Sequence, residues 1–513
     1  MGVGNGVRGH VHLPESAKRY LRITLSDISD LYHIRWPRYG RPREGQDEVM
    51  ATATENATEL GANTLSSELV DWVGDAANGT VISADRRPGG GRREAWVVEV
   101  RGADGAVRPL FLRYDRLDPE EKGDDFTLHR EAAFFRALGG TAVPVPSIVG
   151  VHPVEQAILS ELVPGQARFS RLHDEGQRLS VASDFMRILA EMHRVDPHRL
   201  GLPDQDPDAD LRVLVHREID TWEKVYRDSG SSDPLIDLGL DWVRSHVPDV
   251  SGPVVIVQGD TGPGNFLYEN GKVTAVLDLE LGHLGDPHDD LAWVSVRAVQ
   301  EPFTNLVERF DDYARVAGTD VDLDRVRFYR VLAELRIVIL GHRRRTEPDL
   351  LGEVGNSLVY GLLHRRLLLE ALGDVVGVAI ADVEPVPSVP GERDWLYGAA
   401  LEQIRQIIVP RSEDPFVIQR SKGLARILKH LREAESVSAP VEQRDLDDLE
   451  AVLDYRPSSV AAGTAELVRR CLEGTVPVET AVATLLRQVA GETQALRPAM
   501  GVLADRHFDP LER

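Results

Sequence analysis

The stretch VIVQGDTGPGNFLYENGKVTAVLDLE, residues 255–280, constrains the fold of this chain more than any other. Its short runs of Val, Ile, Phe and Leu are separated by glycine-containing loops, a pattern typical of short strands joined by tight turns. Three polar side chains stand at fixed offsets in it: Asp260, Asn265 five residues later, and Asp278 thirteen residues after that. The pattern predicts that a carboxylate, an amide and a second carboxylate meet where the loops converge.

These residue types suit phosphoryl transfer. A phosphoryl group in flight carries spread negative charge, so catalysis consists mainly of positioning a hydroxyl and neutralising oxygens with Mg²⁺. Asn265 and Asp278 offer the oxygen ligands that Mg²⁺ prefers. Asp260 would accept or orient the proton of the substrate hydroxyl, and its offset from Asn265 equals the Asp-to-Asn offset of the kinase catalytic loop.

At this motif the chain resembles the aminoglycoside phosphotransferase and choline kinase-like family, whose members share the bilobal protein-kinase fold. The resemblance covers roughly residues 75–375 and is strongest in QGDTGPGNFLYENGKVTAVLDLELGHLGDPHDDLAW. Gln258 stands where the family usually has His, and we expect its amide to orient the loop by hydrogen bonding. The family residues that this sequence keeps are Asp260, Asn265, Asp278, Asp286, Pro287, Asp290, Leu291 and Ala292.

The resemblance implies a nucleotide site for ATP, with Mg²⁺ as the second cofactor. Arg113 in RPLFLRY would present a cation to the phosphates, and Glu131 in HREAAFF would hold that cation in place; a simple ion pair is the alternative. The glycine run at 89–91 would cover the phosphates with backbone N–H groups. The segment ILSELVPG would connect the two lobes, and its backbone would contact the base of the nucleotide. The nucleotide-binding residues implied are Arg113, Glu131, Gly89, Gly90, Gly91, Glu161 and Val163.

Other polar residues near the motif are expected to support it. By resemblance, Asp290, the Asp of DLA, would brace the backbone of the catalytic loop, and Asp286 is assigned a supporting role. His283 and His288 are interpreted as surface or supporting residues and not as metal ligands, because no matching His and carboxylate pattern occurs elsewhere. His193 fits a family position and a packed helix histidine equally well.

The chain is long enough for several structural units. We predict an α+β bilobal kinase-like fold with an extra all-α C-terminal domain. Segments with strand alternation around one helix form the N-lobe, helical periodicity dominates the C-lobe, and three prolines break the helical pattern before the last unit. The predicted units are a disordered extension at 1–60, unless translation starts at Met50, an N-lobe at 61–165, a C-lobe at 166–380, a linker at 381–391, and a helical domain at 392–513.

Composition excludes several classes. The formal charge of −24 argues against a nucleic-acid partner, because such affinity depends on Lys and Arg that neutralise phosphates. The single cysteine, Cys471, excludes an intramolecular disulfide and a thiolate metal cluster. No run of 18 or more apolar residues predicts a membrane span, so a cytoplasmic protein is the default expectation.

The leading hypothesis is therefore an ATP-dependent small-molecule kinase that phosphorylates a hydroxyl. The alternatives are a pseudokinase-like ligand-binding module acting through the C-terminal helices and, last, a metal-dependent hydrolase using GDPHDD. GDPHDDLAW and LRY resemble the kinase domains joined to acyl-CoA dehydrogenases, which suggests a hydroxyacyl thioester substrate; an aminoglycoside-like compound is the other option. A lid, a homo-oligomer surface and a partner dock stay open as roles of the C-terminal helices.

Overall fold

A five-stranded antiparallel sheet with two helices forms the N-terminal lobe. The computed structural model describes residues 65–87, 93–115, 126–346, 350, 352–380 and 382–512. The predicted extension 1–60 and Gly89, Gly90 and Gly91 lie outside the described residues. The strand order is β1-β2-β3-β5-β4. The elements are α1 (Ser67–Ala77), β1 (Gly79–Arg87), β2 (Arg93–Gly102), β3 (Val107–Asp115), α2 (Leu128–Leu138), β4 (Ile148–Val151) and β5 (Gln156–Glu161).

The alternation of buried and part-exposed residues in β2 explains which face of this sheet meets α1. Trp96 and Val98 are buried and share one apolar core with Leu69 of α1. Successive side chains in a strand point to opposite faces, so the residues between them face the other way. Arg113 of β3 pairs in register with Ala95, one of those intervening residues. Arg113 therefore lies on the face opposite to the α1 core.

Helices dominate the rest of the chain, and four short strands carry the motif. β6 pairs with β9 and β7 pairs with β8, both antiparallel. The elements are α3 (Glu175–Met192), α4 (Leu211–Arg227), α5 (Pro234–Ser245), β6 (Val255–Val257), β7 (Phe266–Glu269), β8 (Lys272–Val276), β9 (His283–Gly285), α6 (Pro287–Gln300), α7 (Leu306–Ala317), α8 (Leu323–Thr346), α9 (Val354–Val376), α10 (Asp394–Gln403), α11 (Pro415–Leu453), α12 (Val460–Leu472) and α13 (Val478–Met500).

This architecture confirms the predicted fold class, a small β-rich lobe followed by a mostly helical remainder. Helical turns at Ile404–Ile408 and Val409–Arg411 follow α10, and no strand interrupts the described residues after β9. Within those residues, no helix is both long enough and apolar enough to cross a bilayer.

The C-terminal helices pack directly on the preceding lobe. Leu485 and Leu486 of α13 belong to the same apolar core as Leu363 and Leu367 of α9. The segment after α13 turns back onto α9, where Arg366 donates to the carbonyl oxygens of Ala504 (2.6 Å) and Leu503 (3.0 Å). The domain boundary at 381–391 stays a prediction, but the helices beyond it share a core with the C-lobe.

The backbones of α9 and α11 approach each other at Gly355. A Cβ on Gly355 would lie 2.2 Å from the carbonyl oxygen of Gly423, whereas a Cβ on Gly361 of the same helix α9 would meet no atom within 4 Å. Gly355→Ala should lower the free energy of unfolding by about 1–3 kcal/mol because the helices must separate. Gly361→Ala should leave it unchanged or raise it slightly, since Ala favours helix. Urea denaturation compares the two variants; equal midpoints would contradict this packing.

Candidate active site

Asp260 and Asn265 lie side by side at the start of the motif. The Asn265 Nδ2 group donates to the backbone oxygen of Asp260 (2.8 Å) and to its Oδ2 (2.6 Å). The backbone N–H of Leu277, the residue before Asp278, donates to the backbone oxygen of Asn265 at 2.9 Å. The two loops are thus bonded together, and the three residues singled out by spacing converge.

Asp278 occupies an unusual backbone conformation. Its φ is +58°, in the left-handed region that non-glycine residues rarely adopt, and such backbones concentrate at functional sites. Its Oδ1 accepts no hydrogen bond from the described residues, although Arg113 Nη1 lies 3.7 Å away. The Oδ1 atom of Asp260 is buried and likewise accepts no hydrogen bond there. Two carboxylate oxygens are therefore available in the same site.

This donor set fits Mg²⁺. Carboxylate and amide oxygens are its preferred ligands, and the amide oxygen of Asn265, with two lone pairs, can serve a metal while it accepts from Arg297 at 3.3 Å.

The histidines of the neighbouring loop have other partners. His283 Nε2 lies 3.2 Å from Asp289, whose two oxygens accept from Arg336 at 2.9 and 2.8 Å. His288 Nδ1 lies 2.8 Å from Asp286. No group of three or more His, Cys, Asp or Glu side chains in the described residues could hold a metal ion. These contacts agree with the supporting role expected for both histidines.

Burial changes the acidity of Asp260. Its side chain is nearly inaccessible, and this desolvation is the main reason why its pKa rises from 3.8 to about 7. The positive charge of Arg297 lowers the pKa, and the negative charge of Asp278 raises it. A carboxyl group with a pKa near neutrality can both accept and release a proton at physiological pH.

Gln258 connects the catalytic loop, residues 258–265, to the loop that carries Asp278 by a hydrogen bond. Its Nε2 group donates to the carbonyl oxygen of Leu277 at 2.6 Å, and its backbone N–H donates to Asp290 Oδ2 at 2.9 Å. An amide thus provides the orienting hydrogen bond that we expected at this position. Whether activity survives the replacement of His stays a prediction.

Asp290 braces the backbone of the loop, as the resemblance implied. It accepts from the N–H of Gly259 at 3.0 Å and from the hydroxyl of Thr261, in addition to Gln258. His193 Nε2 lies 3.0 Å from Asp290, and His193 Nδ1 lies 2.7 Å from the hydroxyl of Tyr313. His193 is therefore a packed helix-terminal histidine that supports Asp290.

The predicted pair Arg113 and Glu131 approaches the loop of Asp278 from the N-lobe. Their side chains form an ion pair at 2.5 Å, and Glu131 is fully buried, so the pair is not a solvent-exposed one of negligible strength. Arg113 also lies 3.5 Å from Glu280 and thus reaches the loop of Asp278. The contacts place a fixed cation between the sheet and the proposed metal ligands.

The predicted base-contacting segment follows β5. The backbone N–H of Glu161 donates to the carbonyl oxygen of Ser147 at 2.9 Å, so a bound base would have to use other backbone groups of this segment. Val163 is half-buried against an apolar cluster that includes Leu267 and Ala275. Val163 therefore lies in the connector, next to a strand of the C-lobe.

The sequence analysis missed three charged residues of the site: Arg93, Glu280 and Arg297. Arg93, at the start of β2, bonds to Glu280 and to the carbonyl oxygen of Phe126. Arg297 of α6 is buried and donates to Asp260 Oδ2 at 3.4 Å. The partners of Arg93 are far away in the sequence, but Arg297 carried a signal: it lies two helical turns after Asp290, on the same helix face.

Comparison with known proteins agrees with this geometry. Residues 86–329 match the phosphotransferase enzyme family. Acyl-CoA dehydrogenase family member 10 of Mus musculus is 28% identical over 178 residues, which cover 32% of this chain and 16% of that protein. Aminoglycoside 3'-phosphotransferase of Enterococcus faecalis is 24% identical over 237 residues, 44% of this chain and 84% of that enzyme. The chain thus spans about a sixth of the first relative.

Solved structures include an aminoglycoside phosphotransferase in a ternary complex with ADP and hygromycin B. It is 18% identical, covers 54% of this chain and 91% of its own, and has a TM-score of 0.40.

The raised pKa of Asp260 predicts a pH-dependent stability cost. A group whose pKa is higher in the folded than in the unfolded state stabilises the fold at low pH, and this contribution is lost as pH rises from about 4 to about 7. Asp260→Asn removes the ionisable group. In EDTA, the melting temperature of Asp260→Asn should therefore exceed that of the wild type more at pH 8 than at pH 5.5, by an amount corresponding to about 2 kcal/mol.

Asp71→Asn, on the exposed face of α1, is the matched control and should shift the melting temperature equally at both pH values. If the melting temperatures of Asp260→Asn and the wild type differed by the same amount at both pH values, the burial of an ionised carboxylate at Asp260 would be contradicted.

Proposed function

We propose that the protein is an ATP-dependent small-molecule kinase, because residues 86–329 match the phosphotransferase enzyme family and the site has the geometry described above. It moves the γ-phosphoryl group to a substrate hydroxyl and requires Mg²⁺. One observation carries the proposal: Asp260, Asn265 and Asp278 converge, and the Arg113–Glu131 pair faces them from the other lobe.

Each residue has one task in this reaction. Asp260 accepts the hydroxyl proton through Oδ1, the oxygen without a hydrogen bond in the described residues. Asn265 fixes the Asp260 side chain through Oδ2 and offers its amide oxygen to the metal. Asp278 is the carboxylate ligand. When bound, Mg²⁺ supplies charge neutralisation at the phosphate oxygens.

Arg113 completes the site from the N-lobe. Its guanidinium group is oriented by Glu131 and presents a planar fork suited to phosphate oxygens. The guanidinium group of Arg113 lies 3.7 Å from Asp278 Oδ1 and 3.5 Å from Glu280 Oε2. A nucleotide phosphate would replace these carboxylates as the anionic partner of Arg113. The same cation would thus link the sheet to the phosphates.

The substrate is a compound with an alcohol group, and two classes are the first to test. Hydroxyacyl thioesters are suggested by the similarity to the acyl-CoA dehydrogenase relative, although this chain spans only 16% of that protein. Aminoglycosides are suggested by the phosphotransferase of Enterococcus faecalis, of which the chain covers 84%.

Formation of ADP tests the proposal. The full chain with ATP and Mg²⁺ should turn over at least one acceptor from a panel of hydroxyacyl thioesters, aminoglycosides and simple alcohols. Asp260→Asn should lower kcat by about 10²–10⁴-fold because the base is lost, whereas Asp71→Asn should not change it. Failure of the wild type to bind Mg-ATP would sink the proposal, and binding without turnover of any acceptor would favour the non-catalytic alternative.

Metal dependence tests the role of Asp278 separately. Asp278→Asn keeps the size of the side chain but removes the charge, so the Mg²⁺ concentration for half-maximal rate should rise at least about 10-fold. Asp324→Asn alters an exposed carboxylate on α8 and is the control. An unchanged Mg²⁺ requirement in Asp278→Asn would contradict its assignment as a ligand.

A further inference from the structure

Arg297 lies beneath the catalytic loop, with no part of its side chain exposed. Helix α6 carries it there, and the close approach depends on Gly262. A Cβ at Gly262, whose φ is +141°, would lie 2.8 Å from the Cβ of Arg297. Loop and helix are therefore fitted to each other at this point.

The guanidinium group binds acceptors along the second half of the loop. Its Nε and Nη2 groups donate to the carbonyl oxygen of Pro263 at 3.1 and 3.0 Å. Nη2 also donates to Asn265 Oδ1 at 3.3 Å, and Nη1 donates to Asp260 Oδ2 at 3.4 Å. One cation thus contacts both the proposed base and a proposed metal ligand.

Asp290, on the same face of α6, makes the complementary contacts. It accepts from the backbone N–H groups of Gln258 and Gly259 and from the hydroxyl of Thr261, the donors in the first half of the loop. Arg297 donates to the oxygen atoms in the second half. Helix α6 therefore binds the loop through the anionic side chain of Asp290 and the cationic side chain of Arg297, which lie two turns apart.

This inference rests on the proposed function. We propose that Arg297 is a positioning residue that holds Asp260 and Asn265 at a fixed distance from each other and aims Asn265 Oδ1 at the metal. Burying a cation is costly, and a planar fork with several donors in fixed directions can hold three oxygen atoms at once. Removal of this fork leaves the mutual hydrogen bonds of Asn265 and Asp260 in place, but Asn265 Oδ1 and Asp260 Oδ2 lose the donor that anchors both of them to helix α6.

A purely electrostatic role makes the opposite prediction. If Arg297 acted only as a positive charge near the metal, its neutralisation would tighten metal binding, and a lysine would preserve the wild-type affinity. If Arg297 positions the ligands, Arg297→Lys and Arg297→Gln should both weaken metal binding, because neither reproduces the fork.

The test measures Mn²⁺ affinity by electron paramagnetic resonance in the presence of ADP, and then kcat. In both variants, Mn²⁺ affinity should fall about 10-fold, kcat should fall about 10–100-fold, and the KM for the acceptor should change less than about threefold. Arg336→Lys is the control, since Arg336 is equally buried but pairs with Asp289, away from the loop. It should lower the melting temperature and leave Mn²⁺ affinity and kcat unchanged.

Mn²⁺ affinity in Arg297→Lys within twofold of the wild type, or tighter binding in Arg297→Gln, would overturn the inference. Because Arg297→Lys keeps the charge, its fold should survive, as its circular dichroism would verify. A wild type that binds Mn²⁺ and ADP but phosphorylates no acceptor would refute the proposed function instead, and the affinity readout would still decide the role of Arg297.

Discussion

The buried carboxylate of Asp290 is the interaction on which the candidate site depends. A buried charge is tolerated only when hydrogen bonds satisfy it, and Asp290 meets this requirement with donors from the loop itself and with His193. The loop backbone is thereby bonded to a helix of the C-lobe core. Because the backbone is fixed there, Asp260 and Asn265 can remain close together although both are desolvated.

Arginine contacts to oxygen atoms connect the two lobes. Arg113 reaches from β3 to the loop of Asp278, and Arg130 of α2 donates to the carbonyl oxygen of Gly282 at 2.5 Å. In the other direction, Arg199 of the C-lobe donates to the carbonyl oxygen of Ala137 near the end of α2 at 2.8 Å. These bonds hold α2, and with it Glu131, against the C-lobe. The same contacts therefore fix the position of the Arg113–Glu131 ion pair relative to the loop of Asp278.

Four side chains of the candidate site each have one buried oxygen that lacks a hydrogen-bond donor among the described residues. They are Asp260, Asp278, Glu131 and Gln258, and similar atoms also occur elsewhere, for example at Glu334 and Glu370. Such atoms cost folding free energy, and within the site a metal ion or a substrate hydroxyl could bind to the oxygens of Asp278 and Asp260. Gln258 donates the hydrogen bond between the two loops that was expected of an amide at this position.

The sequence alone determined the local features of this protein. The alternation in β2 and the helical periodicity are set by neighbouring residues and predicted their elements correctly. The offsets of Asp260, Asn265 and Asp278 predicted three residues that the structure brings together. Only the tertiary structure revealed that Arg93 meets Glu280, 187 residues away, and that the C-terminal segment packs on α9. It also decided that Arg297 lies under the loop. Such partners are chosen by burial and charge, which act between residues brought together by the fold and leave no fixed spacing along the chain.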